Sequence, residues 1–286
     1  GWIAAVYLLC WGYLETGRLD AGLDLNELIS TTIMDRYTED EREMLIKLSI
    51  LDSFTLPQAV YVTENQAAAT MIKKLSRDSS FIRFDERSQK YAMHNTLVGY
   101  LRELLENKAD QTEILNLYKR SGEWNIANGF TLTGMKLLLK AKEYDLILKV
   151  FEKRGIARVL DTAVQDIVEL FEQIPLEVKY RYPIGYLTYA NFYLPRVDME
   201  GGNRLLSEIE RYYQNNRLTP SSMKKQIAGE AELIRMFLYF NDMSKMMTSA
   251  MKAHAMLNGS SCIANKDMMF NFGCPSQLYL YYRKKG

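Results

Sequence analysis

Only two histidines occur in these 286 residues, and one of them, His94, stands in "YAMHNTLVGYLRELL" between a hairpin-like stretch and an amphipathic helix. A histidine just before a helix N-terminus lies close to unpaired backbone N–H groups, which favour an anion and disfavour a charged imidazole. A neutral ring there can donate one hydrogen bond to a phosphate oxygen. The other reading is a partly buried structural histidine, and spacing alone leaves both open. His254, Cys262 and Cys274 are the remaining candidate metal ligands, but their spacings match no usual zinc pattern and they number only three. Scattered structural residues are the better account, so no metal site is assigned. No GxxxxGK[ST], GxGxxG, HExxH or GxSxG is present. Gly201 and Gly202 in "DMEGGNRLL" lack a basic residue at P-loop spacing and read as a turn. With no catalytic residue to name, the chain is not read as an enzyme.

These residues must be positioned by a chain long enough for two or three domains. A hydrophobic content of 48%, a charged content of 25% and a net charge of +1 describe an ordinary globular protein. Such a balance does not point to a general nucleic-acid or membrane-surface binder, although a local patch could exist. The three scattered cysteines form no disulfide framework, and a reducing, cytoplasmic setting fits best. The opening "GWIAAVYLLCWGYLETG" falls short of the ~20 apolar residues that cross a bilayer and has no basic n-region, so it reads as a buried helix. With no initiator methionine and an ending at "YYRKKG", the sequence is expected to be a piece of a longer protein.

A connection is expected between Gly12 and Asp24. In "TEDEREMLIKLSIL", Thr38 and Glu41 have capping-box spacing, and Met44, Leu45 and Leu48 supply an apolar face. Pro57 in "TLPQAVYVTE" suits a first helical turn, and Thr63 with Gln66 repeats the capping-box spacing before "AAATMIKKLSRDS". "FIRF" and "QKYAM", joined by "DERS", read as two short strands. Leu97, Leu101, Leu104 and Leu105 then mark a helix that buries one face. The order of three helices, hairpin and helix across 31–108 is that of a winged-helix domain. Its third helix would enter the major groove of DNA with Lys73, Lys74 and Arg77, but 31–108 holds eleven Lys and Arg against twelve Asp and Glu. A packing domain is the better reading.

From 109 to 286 the pattern is helical throughout, with turns at Asp145, Asp198 and Asp242 whose intervals approach those of helical-hairpin solenoids. Such arrays present extended surfaces for binding. Met236, Met243, Met246, Met247, Met251 and Met256 crowd the last hairpin, where a core role is favoured over an adaptable groove. The fold class is therefore mainly α, a winged helix with a small β-hairpin followed by a TPR-like helical repeat domain.

Several stretches resemble large LuxR-type, MalT-like transcriptional regulators of the signal-transduction ATPase (STAND) class. "GWIAAVYLL" is similar to the helix that closes their nucleotide-binding region, "LIKLSILDSFTLPQA" to the opening of their winged helix, and "FIRFDERSQKYAMHNTLVGYLRELL" to its wing and following helix. Tyr91, Met93, His94, Leu97, Tyr100 and Leu101 resemble the MHD motif region. "LFEQIP", "RYPIGYLTYANFYL" and "FGCPSQLYLYYRKKG" resemble the helical repeats. The resemblance assigns 1–30 to the end of an upstream nucleotide-binding region, 31–108 to the winged helix and 109–286 to a sensor region. It implies an upstream ATPase domain as intramolecular partner, ADP or ATP in the whole protein with His94 on the ADP phosphate, and a small-molecule or protein inducer. It also implies DNA contact through a separate C-terminal domain, no membrane partner, and oligomerisation on activation. Asn95 stands where related proteins often carry Asp, so a charge-based latch would be missing, although Asn can still cap the helix. A helical-repeat scaffold that binds a protein or peptide without nucleotide control is the alternative.

Overall fold

The computed structural model describes residues 25–78, 81–154, 164–239, 242–257 and 261–263, together with Val6, Cys10, Tyr13 and Leu14. Most of the opening helix, the connection expected between Gly12 and Asp24, Cys274 and the FGCPS stretch lie outside the described residues. The chain divides into two compact units, Gly1–Lys142 and Glu143–Gly286.

In the first unit, α1 (Leu25–Thr32) and a short 3-10 turn (Met34–Arg36) precede α2 (Glu39–Leu48), α3 (Leu56–Thr63) and α4 (Ala68–Asp78). The capping box forms as expected: Thr38 Oγ1 accepts from the Glu41 N–H at 3.3 Å and Glu41 Oε2 accepts from the Thr38 N–H at 2.9 Å. Thr55 caps α3 ahead of Pro57. The second expected box, Thr63 with Gln66, does not form. Thr63 still belongs to α3 and its hydroxyl donates to the Ala59 carbonyl at 2.7 Å. Glu64 then turns the chain through a left-handed conformation, φ 56°, and the Asn65 carboxamide accepts from the Ala67 N–H at 2.8 Å. An Asn side chain completes such a tight local turn better than a threonine already bonded to its own helix.

Strands β1 (Ile82–Asp85) and β2 (Lys90–Met93) pair antiparallel, with Ile82 opposite Met93 and Asp85 opposite Lys90. Asp85 closes their turn by accepting from the Ser88 hydroxyl at 2.6 Å and the Arg87 N–H at 3.1 Å. Phe54 exchanges both backbone hydrogen bonds with Tyr91, at 2.9 and 2.7 Å, and so adds one bridge to the hairpin's edge. Helix α5 (Asn95–Lys108) follows, with Leu97, Leu101 and Leu105 buried as their spacing requires and Leu104 partly buried against the same core. Leu45, Leu48, Phe54, Val62 and Ile72 complete its centre.

Two further helices, α6 (Gln111–Ala127) and α7 (Thr131–Lys140), belong to the same unit, and Leu117 and Leu137 join its continuous core. They approach closely at two glycines. A Cβ on Gly134 would stand 2.7 Å from the Gly122 carbonyl oxygen, and one on Gly122 would stand 2.9 Å from the Gly134 oxygen.

The second unit is entirely helical among the described residues: α8 (Tyr144–Arg154), α9 (Val164–Glu172), α10 (Leu176–Lys179), α11 (Pro183–Arg196), α12 (Met199–Asn215), α13 (Ser221–Arg235), a 3-10 turn (Met236–Tyr239) and α14 (Met243–Leu257). Helix α11 is its axis, packing against α8, α12 and α13. The run Gly185–Phe192 is buried without a polar stripe, as befits a helix enclosed on all sides. The Asp expectations hold at two turns. Asp198 accepts from the Glu200 and Gly201 N–H groups at 3.0 and 2.8 Å, and Asp242 accepts from the Lys245 N–H at 3.1 Å. The result is a mainly α chain in which a winged helix with one hairpin is followed by stacked helical repeats.

Candidate functional site

His94 is placed by the two elements it joins. Its backbone N–H donates to the Phe81 carbonyl at 2.8 Å, one step beyond the hairpin ladder, and its carbonyl accepts the first turn of α5 from Val98. Its ring is the N-cap of α5, with Nδ1 accepting from the Thr96 N–H at 3.3 Å. The edge of the neighbouring Phe81 ring meets it at 85°, with centroids 5.9 Å apart. An accepting Nδ1 puts the ring proton on Nε2. The half-buried imidazole is thus fixed in tautomer and orientation, with one N–H left to donate. Asn95 does not cap the helix: it is the first helical residue and is exposed. The cap position requires extended backbone, and that conformation falls on His94, with ψ at 138°.

The other sequence candidates are dispersed. On α4, Lys74 is committed to an ion pair with Glu41 at 2.8 Å, while Lys73 and Arg77 are exposed. Burial would raise the Glu41 carboxyl, but the Lys74 ammonium and the Thr38 bonds outweigh it and hold it below its ordinary value. Gly201 and Gly202 form the first turn of α12, whose N–H groups are already taken by the Asp198 carboxylate. Gly202 is a packing glycine, since a Cβ there would lie 2.6 Å from Leu194 Cα. His254 and Cys262 are both exposed. No group of three or more His, Cys, Asp or Glu that could hold a metal ion occurs among the described residues.

Two features gave no sequence signal. Glu230 is fully buried in the second unit, where it accepts from Gln226 Nε2 at 2.7 Å, Ser261 Oγ at 2.6 Å and the Cys262 N–H at 2.6 Å. Partial burial and this carboxylate push the Cys262 thiol up. An aromatic cluster surrounds α11: Phe171 stacks on Tyr189 at 3.7 Å and Tyr180 on Tyr212 at 3.6 Å. A cleft of about 270 Å³ opens beside it, edged by Lys179, Tyr193, Arg204 and Glu208. Burial pulls the Lys179 ammonium down, against the opposing charges of Glu172 and Glu208. Only the fold brings these rings together, because they come from α9, α11, α12 and the turn after α10.

Of the six methionines expected in a core, Met236 and Met246 are half-buried, whereas Met243, Met247, Met251 and Met256 are exposed. Met243, Met247 and Met251 are 60%, 57% and 67% exposed, one helical turn apart on α14. That helix packs on α13 through Ser249, Ala253 and Leu257, and its methionine stripe lies away from those contacts.

With this geometry in place, comparison with known proteins bears on part of the first unit. Residues 30–113 match the MalT winged helix domain. The likeness covers that stretch, less than a third of the chain. It is also similar to the HTH-type transcriptional regulator AlkS of Ectopseudomonas oleovorans, 23% identical over 198 residues, which is 66% of this chain and 22% of that protein. The chain thus spans about a fifth of the length of this curated relative. The hairpin, His94 and all of α5 fall inside the matched MalT-like domain. No helix among the described residues is long and apolar enough to cross a membrane.

Proposed function

We propose that this chain is the regulatory portion of a longer, cytoplasmic, nucleotide-switched transcription regulator. In this reading the winged helix relays between an upstream ATPase domain and the helical unit, which receives an inducer, while DNA is bound by a separate C-terminal domain. The observation that carries it is the fixed imidazole of His94. Its Nδ1 is committed to the Thr96 N–H, so Nε2–H is presented as a single donor suited to a phosphate oxygen of ADP held by the upstream domain. ADP retention would favour a closed resting state, and inducer binding on the helices would shift the population toward an open, ATP-bound, oligomerising form. The MalT-like winged helix and the similarity to AlkS support the placement in a transcription regulator. The aromatic-lined cleft of the second unit supports an inducer role for that half. Catalysis is not assigned to this chain.

The test is the nucleotide released on denaturing the full-length protein and its His94→Ala form. The expected result is ADP in the first and little in the second. Equal ADP in both would make His94 structural, and none in either would remove the switch. The second reading, a scaffold for a protein or peptide partner, would then lead, and the exposed stripe of Met243, Met247 and Met251 favours it.

A further inference from the structure

A cleft of about 380 Å³ lies within the first unit, where the loop after α2, the start of α3 and the start of β2 face the end of α6 and the length of α7. Its floor is apolar, with Leu51 buried. One wall is aromatic: the Trp124 and Phe130 rings run nearly parallel, 12° apart in plane with centroids at 6.5 Å. The rim is cationic. Lys90 Nζ sits 4.8 Å from the Phe130 ring centre and Lys140 Nζ sits 5.4 Å from that of Tyr118, and neither is paired with a carboxylate among the described residues. The one carboxylate at the cleft, Asp52, is held by Arg102 at 3.0 Å.

A further observation points to a ligand. Gln58 lines the cleft and is 3% exposed, and its backbone N–H is bonded to Thr55, but its side-chain amide makes no hydrogen bond to a described residue. The amide meets the open cleft and is not sealed from water, so it can exchange a water for a ligand's polar atom. We propose that this cleft binds a small flat organic anion, an aromatic ring carrying a carboxylate or a phosphate. Its ring would lie against Trp124 and Phe130, its charge between Lys90 and Lys140, and one polar atom on the Gln58 amide. The volume falls at the small end of ligand pockets and suits a ligand with few rings. The cleft thus offers a flat apolar wall, one orienting amide and the ammonium groups of Lys90 and Lys140, with Lys136 also along its lining.

The experiment is calorimetric titration of the whole chain with indole-3-acetate, with phenyl phosphate and with uncharged indole, repeated on Gln58→Leu and Lys140→Glu. Melting curves check that both variants remain folded; Gln58→Leu loses no hydrogen bond to a described residue and is close in volume, so it is expected to stay folded. The expected result is binding of at least one anion, quenching of Trp124 fluorescence, and a tenfold or greater loss in each variant. Preference for indole-3-acetate or for phenyl phosphate tells a carboxylate ligand from a phosphate one. Binding of neither anion at millimolar concentration would overturn the proposal. So would binding unchanged in both variants, or indole binding as tightly as the anions.

Discussion

The ring of His94 serves the fold on one side and offers a donor on the other, and the two roles can be separated by choice of replacement. Asparagine is among the best N-cap residues and alanine among the worst, a difference of about 1 kcal/mol. His94→Asn is expected to keep the melting temperature of α5's domain while removing the Nε2–H, and His94→Ala to lose both. If ADP retention in the whole protein tracks stability across the pair, the phosphate contact is wrong. Glu41 is the other residue whose surroundings set its chemistry. Its folded pKa is depressed, so its stabilisation is fully present above the ordinary value near 4.5 and is lost as pH falls through the lower folded value. Acid titration of stability should therefore show a step below pH 4.5 that Glu41→Gln lacks. That substitution should also cost about 2 kcal/mol at neutral pH, by weakening charge-assisted hydrogen bonds to Lys74 and Thr38. Thr38, Glu41 and the place of His94 were legible in the sequence because capping chemistry is local. Gln58 was not, since the cleft it lines is shared with Trp124 and Phe130, more than sixty residues away.

At the scale of elements, sequence spacing located α2, α3, both strands and α5, because each is punctuated by its own cap, proline or polar turn and carries one apolar face. It mistook Thr63 for a cap because a hydroxyl at the right spacing does not reveal that it is already bonded backward to Ala59. It gave Met247 and Met251 of α14 to a core because periodicity cannot tell a buried stripe from an exposed one. The α6–α7 crossing likewise left no signal beyond two glycines, and it carries a sharp expectation. A Cβ on Gly134 would press on Ile126 Cγ1 at 2.5 Å and on the Gly122 carbonyl oxygen at 2.7 Å. One contact is the near part of a packed side chain and the other is backbone, so the helices must separate, and Gly134→Ala should cost about 1–3 kcal/mol. Gly99, on the exposed side of α5, has nothing within 4 Å of its would-be Cβ. Gly99→Ala should instead stabilise by roughly 0.5–1 kcal/mol, through helix propensity alone. Denaturant melts of the two variants side by side separate close packing from backbone entropy, and a mild effect of the same sign in both would show that α6 and α7 are not in contact.

At the scale of the molecule, the winged-helix pattern ends with α5, but the physical unit does not. Leu117 of α6 and Leu137 of α7 are 0% and 8% exposed and belong to the same core as Phe54, Ile72 and Leu101. Helix α6 also packs directly on α3, as the charged pair of Arg120 with Glu64 marks at the surface. A piece ending after Lys108 would therefore leave apolar surface of α3 and α5 open to water, whereas one ending after Lys142 keeps it covered. Losing the two leucines alone removes roughly 3–6 kcal/mol of burial, at about 1.5–3 kcal/mol for each fully buried side chain. That is a large share of the 5–15 kcal/mol that holds an ordinary domain folded. Residues 25–142 expressed alone should thus unfold in one cooperative transition, and residues 25–108 should melt at a clearly lower denaturant concentration or not fold at all. Equal midpoints for the two pieces would mean that α6 and α7 only rest on a finished domain. A lower midpoint for the shorter piece makes the two helices part of the winged helix's own stability. Anything that shifts α6 or α7, including a ligand seated against Trp124, would then be felt in the core on which α5 and its His94 cap rest.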